Sequence, residues 1–115
     1  MYLVDEVTLN KGTEPPFSGK YNDFFKDGFY YCIRCGNKLF ESSMKFKSSC
    51  GWPSFDNVVS SSVDYLDDNS FGMKRIEVIC KKCGSHLGHL FDDGPTKTGK
   101  RFCINSVSLN FKDKA

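Results

Sequence analysis

The clearest pattern along the chain is strand-like. Residues 29–33 (Phe-Tyr-Tyr-Cys-Ile) and 75–80 (Arg-Ile-Glu-Val-Ile-Cys) are short runs rich in β-branched and aromatic side chains, the types that pack well on a pleated surface. Lys38-Leu39-Phe40 follows the first run and is predicted as its partner strand. Over residues 101–111, alternation predicts one long strand with Arg101, Cys103, Asn105, Val107, Leu109 and Phe111 on a single face. The inner half of that face is apolar and reads as core, while its outer half sets a cation, a thiol and an amide side by side. Gly12-Thr13-Glu14-Pro15-Pro16 excludes helix and central strand, and Asp93-Gly94-Pro95 reads as a turn. Residues 43–72, with Gly51-Trp52-Pro53, a serine run and acidic Asp64, Asp67 and Asp68, are expected to be irregular. No segment sustains a helical period. The expectation is a mainly β, antiparallel fold: a single domain over residues 12–115 after a short extension at residues 1–11.

Six cysteines change that picture. Cys32-Ile33-Arg34-Cys35-Gly36 and Cys80-Lys81-Lys82-Cys83-Gly84 are matching knuckles. Two intervening residues let both sulfurs of a knuckle point into one turn, and the following glycine can take positive φ. Two such half-sites make a tetrahedral zinc site with four thiolates, which leaves no open position for substrate and so reads as structural. A redox Cys-x-x-Cys would be expected once, in a βαβ setting, and a six-cysteine disulfide scaffold needs an export signal. The knuckles are separated by residues 36–79, more than the roughly 15–20 residues of a plain ribbon, so a larger unit lies between them.

Met1-Tyr2-Leu3-Val4-Asp5-Glu6 lacks the basic start and apolar run of a signal peptide, and no segment has the apolar length of a membrane span. The expected setting is soluble, reducing and cytoplasmic, with no membrane contact. Sixteen basic and 14 acidic residues, interspersed, give a net charge of +2, too balanced to predict nucleic-acid binding by charge.

Cys50 and Cys103 remain. Arg101 shares a strand face with Cys103 and favours a thiolate there, and His86 and His89 follow directly on the second knuckle. Cys50 sits in the small-residue loop Ser48-Ser49-Cys50-Gly51-Trp52, where a mobile second thiol could resolve a sulfenic acid. Either cysteine could equally be a small buried hydrophobe. Glu77, on an alternating strand, is predicted to be solvated.

These stretches, taken in order from Gly12-Thr13-Glu14-Pro15-Pro16-Phe17 through both knuckles, Cys50-Gly51-Trp52-Pro53-Ser54-Phe55, Arg75-Ile76-Glu77-Val78, His86-Leu87-Gly88-His89 and Phe91-Asp92-Asp93-Gly94-Pro95 to Arg101-Phe102-Cys103-Ile104-Asn105-Ser106, resemble the B-type methionine-R-sulfoxide reductases. The resemblance implies two antiparallel β-sheets with zinc at one end, away from the catalytic strand. It implies that Cys103 attacks the sulfoxide sulfur and that Cys50 forms a disulfide with the resulting sulfenic acid. Thioredoxin would then reduce that disulfide. By the same resemblance His86, His89, Asp93 and Asn105 form the polar side of the pocket, Arg101 lies near the thiolate, and Trp52 packs on the substrate methyl group. Substrates would be oxidised proteins, and the enzyme a monomer. Two other classes stay open on the residues alone. One is a zinc-ribbon module using Lys81, Lys82, Lys97 and Lys100; the other is a zinc fold that has lost catalysis and serves as a chaperone-like module.

Overall fold

The computed structural model describes residues 2–114, apart from the side chains of Tyr2 and Phe71. It contains two antiparallel sheets. In the smaller, β1 (Gly28–Cys32) lies between β2 (Lys38–Glu41) and β9 (Leu109–Asp113). The larger runs β3 (Lys45–Phe46), β4 (Ser54–Phe55), β8 (Arg101–Ile104), β7 (His86–Phe91), β6 (Arg75–Cys80), β5 (Val63–Asp68). Tyr30, Leu39, Phe40, Phe55, Val78, Leu87, Phe102, Ile104 and Leu109 form one buried core between them, with Phe40 and Phe55 stacked at 4.1 Å. Full burial of each such side chain stabilises the fold by roughly 1.5–3 kcal/mol.

Both long runs chosen from the sequence are strands, and β2 pairs with β1. Four expectations are corrected. Residues 101–111 are not one strand: the chain leaves β8 at Asn105, makes a 3-10 turn at Ser106–Ser108 and enters β9 in the other sheet. The break re-phases the alternation, so Phe102 and Ile104 are core in β8, while Arg101 and Cys103 face away from it. Alternation was broken by a sheet change that no single residue announces. Residues 43–72 also hold the six-residue β5, whose acidic side chains lie on an exposed edge strand, a common defence against edge pairing. Before Gly12 there is a helix, α1 (Tyr2–Thr8), too short to be stable alone. It is held by burial of Val7 and by a 2.8 Å ion pair from Asp5 to Arg34 in the first knuckle. Residues 93–95 do not form a hydrogen-bonded turn: the turn comes later, where the Gly99 amide donates to the Thr96 carbonyl, and the Gly94 amide donates across the loop to the Gly99 carbonyl. Among the described residues no helix is long and apolar enough to cross a membrane.

Candidate active site and metal centre

β1 and β6 each deliver a knuckle, one from each sheet. The two knuckles have the same backbone: the Gly36 amide donates to the Cys32 carbonyl, and the Gly84 amide to the Cys80 carbonyl. Gly36 and Gly84 sit at φ 79° and 78°, a left-handed conformation that a Cβ would strain. The four sulfurs lie within 4.8 Å of one another, with Cys32–Cys83 at 3.6 Å and Cys35–Cys80 at 3.5 Å. A disulfide needs sulfurs at ~2.05 Å. The edge of an ideal tetrahedron with ~2.3 Å zinc–sulfur bonds is ~3.8 Å. The cluster therefore has the size and donor set of a metal site. Burial pushes the Cys32 thiol up to about 12, so a thiolate there requires a cation beside it.

The second cluster lies on the face of the larger sheet turned away from the core. Register places Glu77 of β6, His89 of β7, Cys103 of β8 and Ser54 of β4 in one row, so their side chains share a face. His86 would fall on the opposite face by simple alternation. A β-bulge between the Val78 and Ile79 pairings restores it, and the His86 and His89 rings meet edge to face at 5.5 Å. His86 Nδ1 donates to Glu77 at 2.8 Å, and Lys11 approaches the other Glu77 oxygen at 3.2 Å. Glu77, predicted to be solvated, is 3% exposed; once β6 is paired with β7 its face is settled, but the sequence does not show that pairing. Burial holds His86 below its ordinary value, against the pull of Glu77. His89 Nε2 is 2.7 Å from Asp68 at the end of β5. Asp68 is held well below the carboxylate range by the Ser70 hydroxyl and amide, then by His89, with Arg75 also contributing.

Cys50 Sγ lies 3.8 Å from Cys103 Sγ and 3.3 Å from Ser54 Oγ. A disulfide requires them to close by roughly 1.8 Å, a small local shift and no large loop movement. The Cys50 loop is pinned from outside, where the Phe17 amide donates to the Gly51 carbonyl at 2.7 Å. The two thiols share one hydrogen bond, which acts on them in opposite directions. The hydrogen bond from Cys103 holds Cys50 at about 4 against burial, helped by Ser48 and Ser54. That same bond, then burial, pushes Cys103 up, while Arg101 pulls it down.

Beside Cys103 is a cavity of about 90 Å³ lined by Trp52, Phe91 and Thr13 with His89 and Asn105. His86, Asp93 and Arg101 stand behind this lining. Asp93 grips the Arg101 guanidinium at 2.7 and 3.1 Å, and that guanidinium lies over the Phe91 ring at 4.4 Å. Asn105 Oδ1 accepts from the Glu14 amide at 3.0 Å and Nδ2 donates to the Leu87 carbonyl at 3.0 Å, which leaves one Nδ2 hydrogen unused. Besides Glu77, the sequence reading passed over Asp68, Thr13 and the role of Gly88. A Cβ at Gly88 would stand 2.0 Å from the Cys103 carbonyl oxygen. Gly88→Ala is expected to push β8 off β7 and to lower turnover by about two orders of magnitude, the scale of a ~1 Å displacement of a reacting group. Steady-state kinetics on the folded variant would check this; unchanged kcat would mean that the strand spacing does not matter.

A four-cysteine cluster of metal-site size between two sheets, with a second pair of thiols next to a cavity lined by Cys103, His89 and Asn105, is the arrangement of a thiol oxidoreductase on a β scaffold. The SelR domain family matches residues 3–113. The peptide methionine sulfoxide reductase MsrB of Variovorax paradoxus is 56% identical over 110 residues, covering 95% of this chain and 81% of that protein. Mitochondrial methionine-R-sulfoxide reductase B3 of Mus musculus is 54% identical over 110 residues, covering 95% of this chain and 44% of its own length. In fold alone, the chain resembles the Mis18 Yippee-like domain, with a TM-score of 0.62 at 15% identity over 78% of this chain and 99% of that one. The chain belongs to the SelR family, that of the B-type methionine-R-sulfoxide reductases, and is an oxidoreductase enzyme.

Proposed function

We propose that this enzyme reduces methionine-R-sulfoxide in oxidised proteins by a two-thiol cycle. The observation that carries the reading is the 3.8 Å approach of Cys50 and Cys103 beside a cavity with apolar groups on one side and donors on the other. Cys103 sulfur attacks the sulfoxide sulfur, oxygen passes to Cys103 and methionine leaves. The methionine sulfur is reduced by two electrons, and Cys103 becomes a sulfenic acid that carries its former proton on oxygen. Cys50 sulfur then displaces that oxygen, forming the Cys50–Cys103 bond and releasing water. A dithiol reductant, thioredoxin in our reading, returns both sulfurs to thiols.

The departing oxygen gains negative charge and needs proton donors around it. His89, oriented by Asp68, and the spare Nδ2 hydrogen of Asn105 are the groups positioned to serve it. His86 acts from behind with Glu77, and Asp93 acts through Arg101, whose charge favours the thiolate form of Cys103. Trp52 receives the methyl group, so the two substituents on the sulfoxide sulfur meet chemically opposite walls and one epimer fits. A wider groove, about 680 Å³, adjoins through Arg75 and Phe91 and offers room for the flanking polypeptide.

Cys32, Cys35, Cys80 and Cys83 hold a single zinc ion in this reading. It supplies a structural cross-link, since four thiolates fill its coordination. The enzyme works as a cytoplasmic monomer and binds neither nucleic acid nor membrane.

The test is a pair of peptides, each bearing one sulfoxide epimer, incubated with the enzyme and dithiothreitol and read by mass. Loss of one oxygen from the R epimer alone is the expected result. Equal loss from both, or from neither, sinks the reading.

A further inference from the structure

Glu14 is 1% exposed and has no cation among its hydrogen-bond partners. Its carboxylate accepts from the Ser106 amide at 2.8 Å and from the Val107 amide at 3.0 Å, the first donors of the 3-10 turn that follows β8. Such donors are ordinarily satisfied by a short polar side chain at the turn's own start. Here the group arrives from the far end of the sequence, and it brings its backbone with it. The Glu14 carbonyl accepts from Trp52 Nε1 at 3.0 Å, and the Glu14 amide donates to Asn105 Oδ1 at 3.0 Å. One residue therefore sets the plane of the indole and the flip of the amide, the two walls of the cavity beside Cys103. The packing around the carboxylate is tight: a Cβ at Gly19 would lie 2.6 Å from Glu14 Oε2 and 2.3 Å from Ser106 Cβ.

We propose that Glu14 is a positioning residue for substrate recognition, holding Trp52 and Asn105 on either side of the sulfoxide through its backbone while its carboxylate anchors it to the turn after the catalytic strand. It touches neither sulfur. The proposal rests on the reading that Trp52 and Asn105 contact the sulfoxide. A purely structural role would cost stability and leave the recognition of bound substrate as it was.

The chain's single tryptophan is Trp52, so its fluorescence reports this contact without interference. Glu14→Gln keeps the shape but turns an N–H donor towards one of the two backbone amides. In the folded variant the Trp52 emission is expected to shift, and kcat/KM for the R-sulfoxide peptide to fall by about ten- to a hundredfold, mainly through KM. Alkylation of the two active-site thiols by iodoacetamide should stay within about twofold of the wild type, because no hydrogen bond to either sulfur is lost. Glu14→Asp, which keeps the charge but shortens the reach, carries the same comparison should Glu14→Gln fail to fold. Wild-type emission together with wild-type kcat/KM overturns the proposal, as does an alkylation rate that falls in step with turnover. Inactivity of the wild type on both epimers would instead remove the functional reading, while the emission shift would still report the Glu14–Trp52 contact.

Discussion

Cys103→Ser is expected to fold, to keep its metal and to lose turnover by about three orders of magnitude or more, the scale seen when a nucleophile is removed. A hydroxyl is a far weaker nucleophile than a thiol at neutral pH, and an oxygen in place of sulfur cannot be raised to a sulfenic acid. Cys50→Ser separates the two roles. It should release one methionine per enzyme in a first turnover and then stop with an oxidised Cys103, since no second thiol lies within reach to expel the oxygen. Rapid mixing with mass analysis of the protein would show the added oxygen. The contrast is informative because the hydrogen bond between the two thiols lowers Cys50 and raises Cys103, and that direction alone would single out Cys50 as the nucleophile. If Cys50→Ser blocks the first turnover and Cys103→Ser does not, the roles are exchanged. Our assignment follows the cavity, which is lined by Cys103 and not by Cys50.

Removing the metal is expected to unfold the protein. Structural zinc contributes about 10–16 kcal/mol of apparent binding free energy in small domains, whereas domains of this kind have only about 5–15 kcal/mol of net stability. An ion held by the four cysteines would join Cys32 of the small sheet to Cys80 of the large one, so its loss would free the two layers from each other as well as loosening each turn. Incubation with a strong chelator, followed by metal analysis and a thermal melt by circular dichroism, should show a broad transition or none. A metal-free sample that melts cooperatively at the original temperature would show that the core suffices. Cys80→Ala, in a buried position, should behave like the chelated protein.

Much of this was legible in the chain. The knuckles announce themselves because two cysteines at fixed spacing before a glycine have few other uses, and β1 and β6 because their composition is extreme. Cys103 stood out beside Arg101 on one strand face, which β8 preserves. What escaped depends on partners distant in sequence. Glu77 looks like any charged residue on an alternating strand until β7 is laid against it. His86 and His89 share a face only because of the bulge. Asp68, taken as part of a loose acidic patch, becomes the partner of His89 only when β5 closes the sheet. Residues 101–111 depart from a single strand for a related reason: both halves alternate correctly, but in different sheets, and period alone does not register the change.

The anchoring of Ser106 and Val107 by Glu14 spans 92 and 93 positions of sequence. Contacts of such separation form late, because the loop entropy must be met before they contribute. Synthesis runs in the same direction. All four metal ligands have been made before Cys103 is added, and β8 must then insert between β4 and β7 in the interior of the larger sheet. On the ribosome, therefore, the four clustered cysteines and the strands that carry them precede Cys103. The cavity beside Cys103 is completed only when β8 and the turn after it join the sheet, so the thiol and the walls around it come together in one late step.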